Sequence, residues 1–398
     1  MSKVLLGDVA VEHKETCKGS KDGYPIVGLE HLIPEEITLT AWDEGSENTF
    51  TKMFRKGNVL FGRRRAYLKK AAVAPFDGIC SGDITVIEAK PDRILPELLP
   101  FIIQNDVLFD FAVGKSAGSL SPRVKWEHLK NYEFELPDMD KQRELATLLW
   151  AMDETKKSYQ KLIAATDELV KSQFMEQFVI GTPYPRDALK SYITQVRGVS
   201  YKPADLRPSL TEDSVLLLRA NNIGEGRLNH NEVQYVSAEK VSKVQLIKKN
   251  DILMCGSSGS LEHVGKAALC PESVEGETFG AFCKLIRANG ALRPEYIAAY
   301  FGTDEYRKII MQLACGSNIN NLKNEHIDDL QIPVPDDAAQ QQFIAFIRQS
   351  DKSKFAVLNC LKRNLLLILQ KTEDVHSLIN QSAKKYFCKS CHRENHNG

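Results

Sequence analysis

Apolar positions along this chain follow two patterns, which alternate twice between its beginning and its end. In the first pattern, short apolar runs of strand length are separated by turn residues. Six such runs predict β-strands: Tyr24 to Leu29, Val59 to Phe61, Ile84 to Ile87, Val215 to Leu218, Ile252 to Met254 and Phe282 to Ile286. Three of them lie in each half of the chain, so each half begins as a mixed region.

The second pattern predicts two long helices, because apolar residues recur near heptad spacing after Leu136-Pro137-Asp138 and again after Val334-Pro335-Asp336. The apolar positions are Leu145, Leu148, Met152, Tyr159, Leu162, Leu169 and Phe174 in the first helix, and Phe343, Ile347, Phe355, Leu358, Leu361, Leu365 and Ile368 in the second. Such stripes have to be buried, and two matched helices can bury them against each other. We therefore expect an intramolecular helix pair; the alternative is that each helix packs only on its own domain.

A sequence repeat connects the two halves. Pro96-Glu97 returns 198 residues later as Pro294-Glu295, and the register holds without a gap as far as Lys156 and Lys354. The other matched positions are Asp106 with Asp304, Gly118-Ser119 with Gly316-Ser317, Lys125 with Lys323, Glu127-His128 with Glu325-His326, Pro137-Asp138 with Pro335-Asp336, Gln142 with Gln340, and Asp153 with Asp351. This indicates a duplicated unit of about half the chain. Shorter helices are expected from Pro96 and Pro294, with proline in the first turn.

The predicted fold class is α/β (α+β). Two similar mixed domains, residues 1–136 and 181–334, are separated and joined by two long antiparallel helices, residues 137–180 and 335–382, that form a coiled coil. A Gly/Pro-rich linker, Gly181-Thr182-Pro183-Tyr184-Pro185, marks the boundary between the halves. Residues 383–398 are expected to form a flexible tail.

Composition excludes several classes of protein. The longest apolar runs are far shorter than the ~18 residues of a membrane span, and the N-terminus does not resemble a secretory signal, so we expect a cytoplasmic protein. The 9 cysteines are scattered and odd in number, which favours reduced thiols. With 52 basic and 52 acidic side chains, net charge gives no argument for nucleic acid. Any such argument has to come from local charge.

Catalytic signatures are missing from the sequence. It contains neither the Asn-Pro-Pro-Tyr/Phe stretch of amino-group DNA methyltransferases nor a phosphate-binding GxxxxGK[ST] loop. The tail places Cys388, Cys391, His392 and His396 close together, but no loop separates them into two ligand pairs, so we predict no metal. These absences favour a binding protein over an enzyme.

The strongest binding signal is a basic segment. Between Thr51 and Phe76 there is no acidic residue, while three aromatic residues are interleaved with the basic ones: Lys52, Arg55, Lys56, Arg63, Arg64, Arg65, Lys69 and Lys70, with Phe54, Phe61 and Tyr67. The arginine triplet follows the predicted strand Val59 to Phe61, so it lies on a loop. Guanidinium groups there can fork onto phosphates or guanine edges. The alternative is a solvated basic face, and we favour DNA binding.

The matching loop of the second half is chemically different. Cys255-Gly256-Ser257-Ser258-Gly259-Ser260 is small and polar and is followed by His263 and Lys266, although such a loop is equally typical of a simple turn. Leu29-Glu30-His31-Leu32 corresponds to Ala220-Asn221-Asn222-Ile223. Ser119 to Arg123 and Ser317 to Asn321 are predicted either to contact phosphate or to cap a helix. Two copies of one domain with different loop side chains suit two different base sequences.

We therefore predict a set of DNA-binding residues from both halves: Lys52, Arg63, Arg64, Arg65, Tyr67, Lys69, Arg123, Lys125, Arg219, Asn221, Ser257, Ser258, Ser260, His263, Lys266, Asn320 and Lys323.

Over nearly its whole length the chain resembles the specificity subunit of type I restriction–modification systems. The resemblance is carried by the repeated Gly-Ser…Lys-x-Glu-His-Leu/Ile segments and by the Leu/Val-Pro-Asp…Gln start of each long helix. It departs at Leu120-Ser121-Pro122-Arg123, where the second copy is Asn-rich, and at the Cys/His tail. The resemblance implies that the two mixed regions are target-recognition domains, each reading one half of a split, asymmetric site in double-stranded DNA, and that the long helices are conserved spacers.

The resemblance also implies a chain without catalytic residues or cofactors of its own. Two modification (adenine methyltransferase) subunits would dock on it and restriction (motor/nuclease) subunits would join them, with S-adenosylmethionine, ATP and Mg²⁺ on those partners. A helix of about 40 residues is about 60 Å long, so the helices would act as a ruler between half-sites. The competing hypotheses are a stand-alone DNA-modifying enzyme and a coiled-coil adaptor without DNA readout.

Overall fold

The computed structural model describes residues 2–45, 48–181, 184–224, 226–314 and 320–370. These residues form two compact units. The first unit contains the described residues up to 159 together with residues 360–370, and the second contains residues 160–359. The division falls within both long helices, whereas the predicted domain boundaries lie at the ends of these helices and stay a prediction.

Strands account for most of the regular structure before each long helix. In the first unit the strands are β1 (Ser2–Leu5), β2 (Ala10–Glu12), β3 (Ile26–Val27), β4 (Lys52–Phe54), β5 (Val59–Gly62), β6 (Ala71–Val73), β7 (Gly78–Cys80), β8 (Ile84–Ala89) and β9 (Glu133–Leu136). In the second unit they are β10 (Arg186–Ala188), β11 (Ile193–Arg197), β12 (Leu206–Arg207), β13 (Ser214–Leu218), β14 (Gln234–Ser237), β15 (Ile252–Cys255), β16 (Ser257–Ser258), β17 (Ala267–Leu269), β18 (Thr278–Phe279), β19 (Cys283–Ala288), β20 (Asn320–Asn321) and β21 (Gln331–Pro333). All six predicted strands are present.

The helices are short except for two. They are α1 (Leu6–Val9), α2 (Leu99–Ile103), α3 (Asp106–Gly114), α4 (Trp126–Leu129), α5 (Met139–Met175), α6 (Pro294–Tyr300), α7 (Asp304–Leu313), α8 (Asn324–Asp328) and α9 (Asp337–Gln370). The helix predicted from Pro294 begins there, but the one predicted from Pro96 begins at Leu99 with Pro100 in its first turn. The fold is the predicted mixed α/β class.

The units repeat the same first sheet. Its strand order is β2-β8-β5-β6 in the first unit and β11-β19-β15-β17 in the second. Each unit also closes on itself through an antiparallel pair of its first and last strands, β1 with β9 and β10 with β21. The duplication seen in the sequence is therefore a duplication of topology.

The second sheets are only partly alike. Both contain a short parallel pair, β3 with β7 and β13 with β18. In the first unit β4 adds to β7, which gives the order β3-β7-β4. In the second unit β14 adds to β13 instead, which gives the order β12-β14-β13-β18. The added strand therefore lies beside the second strand of the parallel pair in the first unit and beside the first strand of that pair in the second unit.

The repeated Pro-Asp…Gln segment starts each long helix in the same way. A carboxylate oxygen of Asp138 accepts a hydrogen bond from the backbone N–H of Lys141, at 3.0 Å, and so caps the helix. The buried amide of Gln142 accepts from the Leu95 N–H at 2.8 Å and donates to the Pro137 carbonyl at 2.9 Å. These bonds fix the start of α5 to the body of the first unit.

The second copy repeats this arrangement with one more bond. Asp336 accepts from the Ala339 N–H at 2.8 Å. The buried Gln340 accepts from the Arg293 N–H at 2.9 Å and donates to the carbonyls of Ala291 and Pro335 at 2.9 and 3.1 Å. The sequence repeat therefore preserves the residues that anchor the helices.

The predicted antiparallel helix pair is confirmed where the two long helices meet within each unit. In the second unit Phe174 packs against Phe343, with ring centroids 5.6 Å apart, and Asp167 forms an ion pair with the buried Lys354. In the first unit the Tyr159 hydroxyl lies 3.4 Å from Cys360 Sγ. As the residue numbers of the contacting residues rise along α5, those of their partners on α9 fall, so the helices are antiparallel.

Part of the predicted apolar stripe is not buried. Leu162, Leu169 and Phe355 are exposed, so the prediction that they lie in the helix interface is wrong. Polar residues replace them there, since the buried Lys354 and its partner Asp167 occupy the interface. The side chains of Leu361, Leu365 and Ile368, and the whole Cys/His tail, lie outside the described residues.

Candidate nucleic-acid interface

The arginine triplet lies at the end of β5, in the center of a main-chain hydrogen-bond network. The Arg63 N–H donates to the Asp83 carbonyl at 3.0 Å, and the Arg63 carbonyl accepts from the Val124 N–H at 3.0 Å. The Arg65 N–H donates to the Pro122 carbonyl at 2.8 Å. The triplet is thus held between Asp83, which precedes β8, and the segment that contains Arg123. The predicted set of DNA-binding residues includes the triplet and Arg123 but not Asp83.

The side chains form a compact charged cluster. Arg123 donates to Asp83 through Nε at 2.6 Å and through Nη2 at 3.3 Å. Arg64 donates to the same carboxylate through Nη1 at 3.4 Å and to Ser121 Oγ through Nη2 at 3.2 Å. The hydrogen bond from Arg123, followed by its charge and that of Arg64, lowers the pKa of Asp83. The carboxylate therefore orients two guanidinium groups.

Sequence reasoning missed Asp83, although a signal existed. β5 and β8 pair antiparallel, with Gly62 opposite Ile84. The residue that follows β5 therefore has to lie beside the residue that precedes β8. An acid at that position, next to an arginine triplet, predicts an ion pair once the strand pairing is known.

The other predicted DNA-binding residues of the first unit divide into those whose side chains are bonded and those whose side chains are free. Lys52 donates to the Ile84 carbonyl at 2.8 Å, and Lys69 forms an ion pair with Asp106 at 2.8 Å. By contrast, the exposed side chains of Arg65, Tyr67 and Lys125 make no hydrogen bond or ion pair with the described residues. These three side chains are available to a ligand without breaking any bond among the described residues.

An unusual turn presents part of this surface. A 3₁₀ turn at Ala66–Leu68 is bounded by Arg65 and Lys69, both in the left-handed region with φ of 55° and 53°. Non-glycine residues seldom adopt this conformation, and it concentrates at functional sites. The turn exposes Tyr67 and Leu68, and the side chain of nearby Leu120 is 90% exposed. Apolar side chains therefore accompany the positive charge.

The second unit reproduces the main-chain network with different side chains. The Gly256 N–H donates to the Phe282 carbonyl at 2.8 Å, and the Gly256 carbonyl accepts from the Leu322 N–H at 2.9 Å. β16 pairs with β20, with Ser257 opposite Asn321, as Arg64 is opposite Arg123 in the first unit. The predicted correspondence between the two loops therefore holds in three dimensions.

The side chains of this second loop are neutral. Ser257 Oγ donates to Asn321 Oδ1 at 2.5 Å. Phe282 stands where the first unit has Asp83, and its side chain is 66% exposed. Together with Gln195, Arg197, Lys284 and other residues, these side chains line a cleft of about 590 Å³. Phe282 is a second residue that sequence reasoning missed, because it was assigned to a strand that begins at Cys283.

The remaining predicted residues of the second loop follow in a turn. Ser258 Oγ accepts from the Ser260 N–H at 3.2 Å, and the Ser260 carbonyl accepts from the His263 N–H at 3.2 Å. The Lys266 carbonyl accepts from the Cys255 N–H at 2.8 Å, which closes the turn onto β15. Both descriptions of this loop apply, since it is a turn and it also presents Ser260 and His263 to solvent.

Lys323 is exposed at the residue before α8, as Lys125 is before α4. Asn320 pairs with Ser258 through the main chain of β20, and its side chain lies outside the described residues.

Arg219 and Asn221 lie on the other sheet, after β13. A side-chain nitrogen of Arg219 donates to the Glu232 carbonyl at 2.6 Å, and its backbone N–H donates to Asn222 Oδ1 at 2.9 Å. Asn221 is exposed. In the part of the chain that the structure describes, no side-chain bond joins either residue to the Ser257 loop. The structure therefore does not gather all the predicted residues of the second unit into one cluster.

The equivalent corner of the first unit contains Glu30, His31 and Asp43, whose ligand atoms lie within 4.8 Å of one another. His31 Nδ1 accepts from the Gly28 N–H at 2.9 Å, so the ring proton is on Nε2, which lies 3.5 Å from Asp43. A protonated nitrogen cannot ligate a metal, and we assign none to this cluster.

The buried cysteines do not resemble nucleophiles. Burial raises the pKa of Cys80 and Cys270 to about 12 and that of Cys255 to about 11. These thiols stay neutral at physiological pH, whereas a nucleophilic cysteine needs its thiolate. No helix among the described residues has the length and apolar character needed to cross a membrane.

Comparison with known proteins adds an independent observation. The family model described as "Type I restriction modification DNA specificity domain" matches residues 4–165 and 219–367. A 152-residue match is 38% identical to the type I restriction enzyme StySPI specificity subunit of Salmonella potsdam, and covers 38% of this chain and 32% of that protein. The EcoKI specificity subunit of Escherichia coli K12 is 37% identical over the same length and with the same coverage.

The match thus spans about a third of the length of each curated relative. Among solved structures, the type I restriction–modification S subunit from M. genitalium aligns with a TM-score of 0.50 at 11% identity. That alignment covers 96% of this chain and 95% of that one, and at this identity it concerns the fold alone.

Proposed function

The chain belongs to the type I restriction modification DNA specificity domain family, and from this premise we propose that it is the DNA sequence-specificity subunit of a type I restriction–modification complex. Each unit reads one half of a bipartite, asymmetric site in double-stranded DNA. The observation that carries the proposal is the pair of loops after β5 and β15, which share a main-chain network but differ in side-chain chemistry. One frame with two sets of side chains suits two unrelated half-sites.

Local charge supports contact with DNA. Arg65 and Lys125 are exposed and unpaired among the described residues of the first unit, and Lys323 is exposed in the second. Free cations of this kind bind phosphates and position a protein on the duplex. Side chains on the same surface then contact base edges.

The long helices set the spacer and dock two modification subunits in this proposal. α5 has 37 residues and α9 has 34 in the described part of the chain, so α5 is about 55 Å long. The exposed Leu162, Leu169 and Phe355 supply apolar surface on these helices, as expected where other subunits pack. Restriction subunits then join the assembly.

We assign this chain no catalytic residue and no cofactor. S-adenosylmethionine, ATP and Mg²⁺ belong to the modification and restriction subunits in the assembly that we propose, and the complex works in the cytoplasm. The names of the curated relatives, which are specificity subunits of restriction enzymes, support this division of roles.

The decisive experiment is co-expression with the cognate modification subunit, followed by genome-wide mapping of methylated adenines. We expect one bipartite motif whose two halves are unrelated. A continuous palindrome, or methylation without any motif, would contradict the proposal. Shortening α5 and α9 by the same whole number of turns should shorten the unspecified spacer and leave both half-sites unchanged.

Two controls separate the competing functions. The purified chain should not bind S-adenosylmethionine, since a stand-alone methyltransferase would. Changing Arg63, Arg64 and Arg65 to alanine should weaken DNA binding while the modification subunits still dock. This result would exclude an adaptor without DNA readout, because such an adaptor has no DNA binding that these arginines could supply.

A further inference from the structure

We propose that three structurally equivalent positions in each unit form a reading triad, and that the two triads recognise different base pairs. The inference rests on the proposed function and deepens it. In the first unit the triad is Arg64, Asp83 and Arg123, and it reads guanine. Its equivalent in the second unit reads an A·T pair.

The second triad consists of Ser257, Phe282 and Asn321. Equivalence follows from main-chain bonds rather than from side-chain likeness. The N–H of Arg63, just before Arg64, donates to the Asp83 carbonyl at 3.0 Å. In the same way the N–H of Gly256, just before Ser257, donates to the Phe282 carbonyl at 2.8 Å. Arg64 also pairs with Arg123 across a β-bridge, and Ser257 pairs with Asn321 in the same way. All three positions have changed together, while the bonds that place them have not.

The geometry of Arg123 leaves one edge of its guanidinium available. Its Nε and Nη2 are bonded to Asp83, so the edge formed by Nη1 and the second proton of Nη2 faces away from the carboxylate. Two parallel N–H donors on that edge match O6 and N7 of guanine in the major groove. Adenine presents an amino group at the O6 position and would be rejected.

Asp83 acts as a positioning residue in this triad. It is held by Arg123 and Arg64 and is mostly buried, with a side-chain exposure of 20%. Its contacts restrict two long side chains before DNA arrives, which reduces the conformational entropy lost on binding. Ser121 Oγ restricts Arg64 further, at 3.2 Å.

The second triad offers neutral groups of a different shape. The Asn321 amide is exposed, and its oxygen accepts from Ser257 Oγ, which fixes its orientation. Its NH₂ group and the second lone pair of its oxygen remain available, and this donor–acceptor pair matches N7 and N6 of adenine.

Phe282 completes the match to an A·T pair. The residue is 66% exposed. Its own backbone carbonyl accepts hydrogen bonds from the N–H groups of Gly256 and Ser257, at 2.8 and 3.0 Å. The exposed ring gives this loop an apolar contact surface beside the polar groups of Ser257 and Asn321. The C5-methyl group of thymine is the apolar feature of a base edge that such a ring contacts.

The test uses the complex of the full chain with its cognate modification subunit. Binding is measured on the duplex whose motif the methylation map gives, and on duplexes with each base pair substituted in turn. Arg123→Lys keeps the charge but loses the fork. We expect it to lose roughly 5- to 150-fold discrimination at one guanine in one half-site, with an unchanged salt dependence. Asp83→Asn should relax the same position.

Phe282→Ala should lose roughly tenfold discrimination at one thymine-containing pair in the other half-site. Matched controls are Arg93→Lys, an exposed arginine whose side chain pairs with its neighbour Asp92 and with no other described residue, and Leu210→Ala, an exposed apolar residue of the second unit. Both controls should leave the motif unchanged. Because Phe282 is exposed, its variant carries the test even if an Arg123 or Asp83 variant fails to fold.

Two kinds of failure are distinguishable. A wild-type complex without a bipartite motif overturns the proposed function itself. A wild-type bipartite motif together with variants that keep all base preferences within twofold overturns only the reading triads. Loss of preference in both half-sites from a single substitution also overturns them, because each triad is inferred to act on one half.

Discussion

The loops after β5 and β15 are equivalent in backbone and opposite in chemistry. In the first unit two arginines share the carboxylate of Asp83, whereas in the second Ser257 and Asn321 bond directly beside the exposed ring of Phe282. The bonds common to both loops join only main-chain atoms, which every residue supplies. A frame built in this way places few demands on side chains, so the surface can change while the fold stays the same.

The two units differ more deeply in their second sheets. Both keep the parallel pair that leads into the reading triad, β3 with β7 and β13 with β18. The remaining strands are added on opposite sides of that pair. Divergence has therefore reached the strand order of the second sheets but has left the helix starts at Gln142 and Gln340 intact. Four predictions sharpen this comparison.

The largest effect is expected in the second unit, where aromatic rings of α5, α6 and α9 pack together. Phe174 is fully buried against Phe178, Tyr296 and Phe343, with centroid distances between 5.1 and 5.6 Å. Phe174→Ala should lower the free energy of unfolding by about 3–5 kcal/mol, because the rings around the cavity cannot collapse to fill it. Urea unfolding measures the loss, and Leu169→Ala on the exposed face of α5 is the control, with a change of about 0.5 kcal/mol or less.

The anchoring glutamines test whether the shared frame is equally important in both units. Gln340→Ala removes three hydrogen bonds and Gln142→Ala removes two, each set made by a buried amide, so we expect losses of about 2–4 kcal/mol, larger for Gln340. Amide exchange would show in which unit protection is lost. Equal losses of stability, or a larger loss for Gln142→Ala, would contradict the inference that the extra hydrogen bond of Gln340 stabilises the second unit more.

The charge difference between the loops should appear in salt dependence. Arg65 is exposed and unpaired among the described residues, and Ser258 is its neutral equivalent in the second unit. Arg65→Gln should weaken DNA binding about fivefold at physiological salt for every sequence and reduce the salt slope by about one. Ser258→Ala should leave the slope unchanged. The measurement is binding of the assembled complex across a range of salt concentrations.

The smallest effect is a pH dependence that His230 gives to the second unit. The hydrogen bond from His230 to Glu277, at 2.8 Å, raises the pKa of His230 above its usual 6.5. The protonated form is therefore favoured in the fold, so its contribution is complete below pH 6.5 and is lost as pH rises through the raised value. Because the histidine is partly exposed, we expect less than about 1 kcal/mol. His230→Gln should abolish this dependence, as measured by thermal unfolding at several pH values.

Asp83 makes the opposite contribution in the first unit. Its pKa is lowered below the usual 3.8, so the stability it supplies is present above that value and lost as pH falls through the lowered one. Over the range in which His230 titrates, Asp83 stays ionised. The pH dependence of the two units can thus be separated by titrating above and below pH 5.

Much of the fold could be predicted from the sequence because periodicity reports local structure directly. The strands at Val59, Ile84, Ile252 and elsewhere follow from short apolar runs, and the long helices follow from their heptad stripes. The sequence also predicted that the loop with the arginine triplet matches the loop from Cys255 to Ser260, and the structure equates Arg64 with Ser257. The stripe failed at Leu162, Leu169 and Phe355, because spacing does not distinguish a helix face that packs from a face that remains exposed.

The candidate site was predicted only in part, for a different physical reason. Arg123 and the arginine triplet were both on the predicted surface, but that they share Asp83 follows only once the pairing of β5 with β8 is known. Phe282 was assigned to a strand, and Arg219 was grouped with a loop to which no described side-chain bond connects it. Contacts between residues distant in sequence depend on strand register and sheet order, which local pattern does not encode.

The sequence alone determined that this chain contains one frame twice, with two long helices and two loops of different chemistry, because duplication and periodicity survive in the order of residues. Only the tertiary structure decided which side chains act together. The antiparallel pairing of β5 with β8 brings Asp83 to the arginines, and the equivalent pairing of β15 with β19 leaves Phe282 exposed beside Asn321. Hydrogen bonds between distant strands define these neighbours, and they exist only after the chain has folded.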